Sequence, residues 1–198
     1  DGINMPMILW EMCLEMFGAA YPSLMTYLAI TTHVAEVIVH HADEDLKELF
    51  FPKMMDGTWN GTMGLTEPAA GSDVGDATTK AFPTEDPRIF KIKGQKIFIT
   101  GVDNGFSENS VNLFLARVEG ARPGVAGLSL FLIPRYWVNL DGSVEKEIND
   151  IWVTGIEEKM GMHGSATCAE VLATIITAAD GYWESILCKT RAEAMAWP

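Results

Sequence analysis

The chain has 198 residues, 48% of them hydrophobic, and a formal net charge of −13 from 27 acidic and 14 basic residues. This composition excludes a disordered protein and predicts one substantial domain or two small ones with a buried core. The negative field repels a polyanion, and no cluster of lysine and arginine offsets it, so nucleic-acid binding is excluded.

The cysteines and histidines do not form a recognisable metal-binding pattern. Cys13, Cys168 and Cys188 are far apart, odd in number and without C-x-x-C spacing, which argues against a disulfide framework or a zinc site. The adjacent His40 and His41 are expected to be solvated near a helix end. Three free thiols fit a reducing compartment, so we expect a cytoplasmic protein that holds no metal ion.

The most apolar stretch, 3–20, is interrupted by Glu11 and Glu15, and we therefore expect no membrane span. It also lacks the features of a signal peptide. The chain starts at Asp1 without a methionine and enters this apolar segment at once. That beginning suggests a cut through a longer protein.

The first third of the chain predicts three helices. Residues 7–17 are apolar almost all round, as in a helix that is buried between other elements, and Gly18 breaks this helix. Ser23 is expected to cap a second helix that runs to about residue 39. A third helix begins at Asp43 with acidic residues in its first turn, where the helix dipole favours them, and ends at Gly57.

From about residue 57 the sequence changes to short β-rich runs separated by glycine, proline and aspartate. Several short strands at this spacing predict a sandwich or a barrel. The run 111–118 is almost continuously apolar, as in a strand that is covered on both faces. The predicted strands are 62–66, 78–82, 89–92, 96–100, 111–118, 128–133, 156–160 and 168–174.

The segment 64–74, Gly-Leu-Thr-Glu-Pro-Ala-Ala-Gly-Ser-Asp-Val, follows a predicted strand as a polar loop that contains glycine. Such a loop exposes backbone N–H groups and small hydroxyls, so it is either a cradle for an anion or phosphate or an irregular turn. Glu67 is expected to fix this turn or to pair with a neighbouring group rather than to act as an acid. Just upstream, the glycosylation-like triplet 60–62 is expected to form a turn.

The segment 94–101 is the second region of interest. Strand alternation places Phe98 and Thr100 on one face and Ile97 and Ile99 on the other. An aromatic ring and a hydroxyl on one face suit a flat heteroaromatic ligand, although an ordinary half-buried strand has the same pattern. A third segment, 158–168, connects two predicted strands and is rich in small residues.

Together the three segments resemble the acyl-CoA dehydrogenase family. The family pattern T-E-P-x-A-G-S-D appears at 66–73, the strand pattern G-x-K-x-[WF]-I-[TS] at 94–100, and the strand entry [KR]-[ML]-G-x-x-[GA]-S at 159–165. The resemblance extends over roughly residues 6–168. The lengthened stretch 134–158 is similar to a bacterial subgroup that handles long-chain or sulfur-containing acyl-CoA thioesters, such as methylmercaptopropionyl-CoA.

The resemblance implies an α+β protein. Residues 1–56 would be the end of an N-terminal helical domain, and residues 57–175 would be a middle β-domain built as an antiparallel barrel or sandwich. The C-terminal helical domain of the family is expected to be absent. After Cys168 the match decays, so residues 176–198 are a tail of uncertain structure and a candidate for a frame-shifted or chimeric sequence.

The resemblance also implies FAD as the cofactor and assigns residues to it. The strand matching 63–66 lines the flavin ring, Gly71 and Ser72 face the FAD diphosphate and the pantetheine arm of the substrate, Phe98 covers the flavin, and the Thr100 hydroxyl lies near flavin N5. Phe98 stands where tryptophan is commoner. The implied cofactor-binding residues are Met63, Gly64, Leu65, Thr66, Gly71, Ser72, Phe98, Ile99 and Thr100, and Ser72 is also implied to contact the substrate.

The implied reaction of the full enzyme is the oxidation of an acyl-CoA to a trans-2-enoyl-CoA, as in fatty acid β-oxidation. A glutamate removes the α-proton and the β-hydride passes to FAD. In relatives that glutamate belongs to the C-terminal helical domain, so this chain is expected to have no catalytic residue and to be inactive alone. The implied partners are an electron-transfer flavoprotein and further copies of the chain. The alternative is a non-catalytic ligand-binding or interaction module of the same fold.

Overall fold

The computed structural model describes residues 5–85, 90–139 and 141–168, and the backbone of 171–173. The helices are α1 (Met7–Ala20), α2 (Pro22–His41) and α3 (Glu44–Met55). The strands are β1 (Trp59–Gly64), β2 (Lys80–Pro83), β3 (Phe90–Lys96), β4 (Ile99–Thr100), β5 (Asn109–Val118), β6 (Leu128–Pro134), β7 (Tyr136–Val138), β8 (Val144–Ile148), β9 (Ile151–Val153), β10 (Thr167–Cys168) and β11 (Val171–Ala173). The predicted tail 176–198, including Cys188, lies outside the described residues.

The starts of α2 and α3 follow from local chemistry. Pro22 is the first residue of α2, a position where its missing N–H costs nothing. Ser23 therefore lies inside the helix, only 2% exposed, and the prediction that it caps α2 is wrong. Asp43 precedes α3, whose first turn is acidic as predicted, and Gly57 follows the helix with a φ of 81°.

Helix α1 forms where it was predicted, but it continues through Gly18 to Ala20, so the prediction that Gly18 breaks it is wrong. The helix is also not buried among the described residues. Leu14 is its only buried side chain. An apolar helix needs a partner surface, but its composition does not say whether that surface belongs to the same segment of chain. The large apolar side chains that α1 exposes are Met7, Ile8, Leu9, Met12, Met16 and Phe17.

Helix α2 is long and apolar enough to cross a membrane by length and composition alone, with a mean hydropathy of 1.2. Its side chains Val34 and Ile38 are 0% exposed and belong to a core cluster with Trp59 of β1 and Phe50 of α3. The core helix of a folded domain passes the same test of composition. This packing covers part of α2, since 28% of its apolar window is buried among the described residues.

Strand β5 is the centre of the main sheet. One edge of β5 pairs in parallel with β1 and, further along, with β2, while its other edge pairs antiparallel with β6. The strand order is β1-β5-β2-β3-β11-β9, and β10–β4 and β7–β8 form separate two-stranded ribbons. Parallel pairing is possible here because a long connection separates β1 from β5.

The α+β class and the helical segment followed by a β-rich middle domain are confirmed. The expectation of an antiparallel barrel or sandwich is corrected in two respects. The main sheet is mixed, and the described strands do not close into a barrel.

Both faces of β5 are covered, as the apolar run 111–118 predicted. Val111 and Leu113 join the helix-side cluster, while Phe114 and Ala116 join a second cluster on the other face. All four are no more than 1% exposed. Burying each large apolar side chain contributes about 1.5–3 kcal/mol relative to exposure, so this strand anchors the strands that carry the motifs.

The other strand predictions hold only in part. Residues 96–100 are not one strand, because β3 ends at Lys96 and β4 begins at Ile99. Residues 156–160 form no strand, and Ile156 makes only an isolated bridge to Cys168. Strands β7, β8 and β9 were missed, because they are short and β8 is rich in charge.

Candidate functional site

The first motif begins where β1 ends, against the ring of Phe114. A Cβ on Gly64 would lie 2.3 Å from Cδ1 of Phe114, so only glycine fits at this position. The adjoining Met63, Leu65 and Thr66 are half-buried. The polar groups that this segment can present are therefore its backbone groups and the Thr66 hydroxyl.

A buried ion pair connects the first motif to the second. The Lys96 ammonium lies 2.7 Å from Oε1 of Glu67, and the side chains are 0% and 1% exposed. The same ammonium donates a hydrogen bond of 3.2 Å to the Leu65 carbonyl. Lys96 thus holds the chain on both sides of Thr66, and the expectation that Glu67 pairs with a neighbouring group is confirmed.

Glu67 also holds the chain that enters β2. Its Oε2 accepts hydrogen bonds of 2.7 Å from both the backbone N–H and the hydroxyl of Thr78, and the N–H of Thr79 donates to the same carboxylate. Gly94 lies close by, because a Cβ there would be 2.2 Å from the Thr79 hydroxyl oxygen. The glycine and the lysine of the second motif are therefore both required by contacts with the first motif and β2.

These contacts fix the charge state of Glu67. Burial alone would raise the pKa of its carboxyl, but donation by Lys96, Thr79 and Thr78 outweighs burial and lowers the pKa to about 2. Burial lowers the pKa of the Lys96 ammonium, and Glu67 opposes that shift. Glu67 is therefore ionised at neutral pH and has little affinity for a proton.

The two predicted flavin-lining segments lie side by side. The Ile97 N–H donates a 2.9 Å hydrogen bond to the Thr66 carbonyl, and the amide of Asn60 donates another of 2.9 Å to the Gly101 carbonyl. Residues 60–66 and 97–101 are thus joined near both ends, as a shared surface requires. The triplet 60–62 lies within β1, and Asn60 is 5% exposed, so the expected turn there is wrong.

Phe98 interrupts the second motif. Its φ of 60° lies in the left-handed region, which a bulky residue rarely adopts, and its side chain is 56% exposed. Ile99, by contrast, is 2% exposed and belongs to the core cluster. Phe98 is thus exposed and Ile99 is buried, and a kink at Phe98 replaces the continuous strand from which the facing of 97–100 was predicted.

Thr100 connects the second motif to the third. Its hydroxyl lies 3.1 Å from the hydroxyl of Thr167, and the two residues pair across β4 and β10. The Lys159 ammonium donates to that same Thr167 hydroxyl at 3.1 Å and to the Ser165 carbonyl. The Gly101 N–H donates to the Ala166 carbonyl. The third segment, 158–168, therefore supports Thr100 of the second motif through Thr167 and Lys159.

Gly71 and Ser72 lie beyond a tight turn in which Glu67 and Ala70 exchange backbone hydrogen bonds of 2.9 and 3.1 Å. Both residues are exposed, and a Cβ on Gly71 would meet no atom within 4 Å. Within the described parts of the chain, no hydrogen bond connects Gly71 or Ser72 to segments 63–66 or 97–101. The structure thus leaves these two residues on an open loop and does not bring them into the shared surface.

Sequence reasoning missed several residues that build this surface. A lysine within a strand predicts a solvated side chain, so the burial of Lys96 was not expected. Tyr27 of α2 accepts a 2.7 Å hydrogen bond from the Ala166 N–H through its hydroxyl. Asn60 was assigned to a turn. The lysine of the family pattern at 94–100 was the available signal for Lys96, whereas no local pattern marks Tyr27.

Comparison with known proteins gives the class. Residues 62–174 match the model of the acyl-CoA dehydrogenase middle domain, which includes all three motifs and the buried pair between them. The chain belongs to the acyl-CoA dehydrogenase family.

Two curated relatives illustrate the range of similarity. A butyryl-CoA dehydrogenase of Syntrophomonas wolfei is 49% identical over 165 residues, which are 83% of this chain and 27% of that protein. The 3-methylmercaptopropionyl-CoA dehydrogenase of Ruegeria pomeroyi is 33% identical over 84% of this chain and 28% of its own length. The chain thus spans about a quarter of the length of these relatives, and the resemblance to the bacterial subgroup is confirmed.

The solved butyryl-CoA dehydrogenase of Megasphaera elsdenii has a similar fold. It superposes with a TM-score of 0.65 at 25% identity, over 82% of this chain and 38% of that one. The mixed sheet and its preceding helices are therefore the family's arrangement and not a peculiarity of this sequence.

Proposed function

We propose that this chain is the flavin-contacting part of an FAD-dependent acyl-CoA dehydrogenase. The observation that carries the proposal is the surface formed by residues 60–66 and 97–101, which two hydrogen bonds hold side by side. That surface combines half-buried threonine hydroxyls, backbone groups and one exposed aromatic ring. These are the groups that orient a flat, polar heteroaromatic ring.

The residues present fit a flavin. Thr66 and Thr100 would bind the edge of its ring system through hydroxyl and backbone groups, and Phe98 would pack on it. Met63, Gly64, Leu65 and Ile99 would complete the wall, in which Gly64 and Ile99 are fixed by packing against the core. The loop with Gly71 and Ser72 would supply N–H and hydroxyl donors to a diphosphate and to the pantetheine arm of the substrate.

In the full enzyme the reaction would convert an acyl-CoA thioester into a trans-2-enoyl-CoA. FAD, when bound, supplies the acceptor for the β-hydride. The described residues of this chain would bind and orient the cofactor and exclude water from one side of it. Their fixed donors are aimed before the substrate arrives, which is how a rigid scaffold lowers an electrostatic barrier.

The base that removes the α-proton would come from elsewhere in the full enzyme. Glu67, the one carboxylate buried in the motif region, is unsuited to the task because Lys96 occupies one of its oxygens and its pKa is about 2. A general base works best with a pKa near the operating pH. The chain alone would therefore bind cofactor without turning over substrate.

We also propose partners and a cellular location for the protein. Electrons would leave through an electron-transfer flavoprotein, and the exposed apolar side chains of α1 would pack against further copies of the chain or the remainder of the enzyme. Cys13 and Cys168 are free thiols, which supports a cytoplasmic location.

Flavin absorbance is the direct test of the proposed function. The purified chain is expected to turn yellow with added FAD and to retain that absorbance after desalting, with no dehydrogenase activity on butyryl-CoA. A colourless chain without affinity for FAD would instead support a module that keeps the fold and has lost the cofactor.

A further inference from the structure

Lys96 is placed to act on the peptide bond between Leu65 and Thr66. Its ammonium lies 3.2 Å from the Leu65 carbonyl oxygen and 2.7 Å from the Glu67 carboxylate. The side chain is fully buried. Since Glu67 is held in turn by Thr78 and Thr79, the ammonium has little freedom to leave the Leu65 carbonyl.

The other end of that peptide is the N–H of Thr66. The bond between Leu65 and Thr66 is trans, so the Thr66 N–H points away from the carbonyl that Lys96 occupies. The Thr66 carbonyl already accepts a hydrogen bond from the Ile97 N–H, so the N–H is the backbone group of Thr66 that a ligand could use. Thr66 itself is only half-buried.

A cation on a peptide carbonyl strengthens the donor at the opposite end of the same peptide. Hydrogen-bonded chains polarise one another, with a strengthening of about 10–30% per bond, and a low local dielectric increases the effect. Lys96 is buried, so water screens its field poorly along this path. The Thr66 N–H is consequently a stronger donor than an ordinary exposed backbone amide.

We propose that Lys96 is a positioning residue for the flavin: anchored by Glu67, it fixes and polarises the peptide that precedes Thr66, so that the Thr66 N–H donates to an electron-rich acceptor on the edge of the isoalloxazine ring. Lys96 does not touch the ligand. The inference rests on the proposed function, and it extends that function to the buried pair that holds the wall in place.

The test compares FAD binding and the Thr66 amide signal in two variants of the 198-residue chain. The first combines Lys96→Met with Glu67→Gln, which removes the cation without leaving a lone buried carboxylate. The second, Ile92→Ala, removes a fully buried side chain from the core face of the same strand and so controls for loss of stability. Folding of both is checked by circular dichroism.

The paired variant is expected to bind FAD at least about tenfold more weakly than the unchanged chain, as for loss of a charge-assisted hydrogen bond. Without FAD, its Thr66 ¹⁵N resonance is expected to shift, because the preceding carbonyl has lost its donor. Ile92→Ala should leave both quantities unchanged. The paired variant should also lower the reduction potential of bound FAD, because a weaker Thr66 N–H donor stabilises the reduced, more negative flavin less.

The outcomes separate the two proposals. An unchanged chain that takes up no FAD refutes the proposed function, and the role of Lys96 falls with it. If the unchanged chain binds FAD and the paired variant binds it equally well, or its Thr66 resonance does not move, the proposed function stands and the role of Lys96 is refuted. Equal weakening by Ile92→Ala would assign the effect to stability alone and refute the role as well.

Discussion

The carboxylate of Glu67 and the ammonium of Lys96 meet 2.7 Å apart in the interior of the protein, from positions 29 residues apart in the chain. Each belongs to a different motif of the family. Their contact places the loop after β1 against the end of β3. The proposed flavin-contacting surface of residues 60–66 and 97–101 depends on that placement.

Breaking this pair on one side should be costly. Lys96→Met is expected to lower the free energy of unfolding by about 3–5 kcal/mol, because it leaves the buried Glu67 carboxylate without its cation. Urea denaturation measures the change. Adding Glu67→Gln to the same chain should restore a large part of the loss, and a double variant no more stable than Lys96→Met would contradict a pairwise interaction.

The pair also predicts a dependence of stability on pH. The pKa of Glu67 is about 2 in the folded chain, against 4.5 for the unperturbed group. A lowered folded pKa gives stability that is complete above pH 4.5 and is lost as pH falls through 2, amounting to about 3 kcal/mol. Urea midpoints between pH 2 and 6 should show this loss. In Glu67→Gln the free energy of unfolding should change much less over the same pH range. An unchanged slope would exclude Glu67 as the source of the loss.

Gly64 and Gly71 form a natural pair for testing close packing. A Cβ at Gly64 would lie 2.3 Å from the Phe114 ring, whereas one at Gly71 would meet nothing within 4 Å. Gly64→Ala is therefore expected to destabilise the fold by about 1–3 kcal/mol or more through overpacking, and Gly71→Ala should change stability by less than about 0.5 kcal/mol. Thermal unfolding measures the melting temperature of each variant. Similar melting temperatures for the two variants would argue against the packing of Gly64 on Phe114.

Phe98 should matter for the ligand and not for the fold. Its side chain is 56% exposed and its φ is 60°, a conformation that asparagine adopts more readily than phenylalanine. Phe98→Asn is expected to keep the unfolding free energy within about 0.5 kcal/mol and to weaken FAD binding about fivefold or more, as for loss of one aromatic contact. Phe17→Asn on α1 removes another half-exposed ring and should leave FAD affinity as it was. Equal affinity in the Phe98 variant would place the flavin elsewhere.

The sequence predicted the parts of the fold that depend on local patterns. The three helices and the apolar strand β5 appear where their patterns placed them, and the motif-bearing segments do so only in part. Their interpretation as one surface also holds, since residues 60–66 and 97–101 are joined by hydrogen bonds. The roles of individual residues toward FAD remain predictions.

The errors arise where distant residues override local preference. Lys96 is buried because Glu67, remote in sequence, neutralises it, and no strand pattern records such a partner. Phe98 breaks its strand through a backbone conformation that its residue type disfavours. The parallel pairing of β1 with β5 depends on chain routing, which alternation within a single strand does not reveal.

The parallel pairing of β1 with β5 also bears on how the chain folds as it is synthesised. Thr62 contacts Asn112, 50 residues further along. At a translation rate of about 5–20 residues per second, β1 leaves the ribosome roughly 3–10 s before its partner strand. During that interval the edge of β1 and the apolar face of α2 have no sheet to pack against. The protein is therefore most exposed to chaperones and to aggregation at this stage of its synthesis.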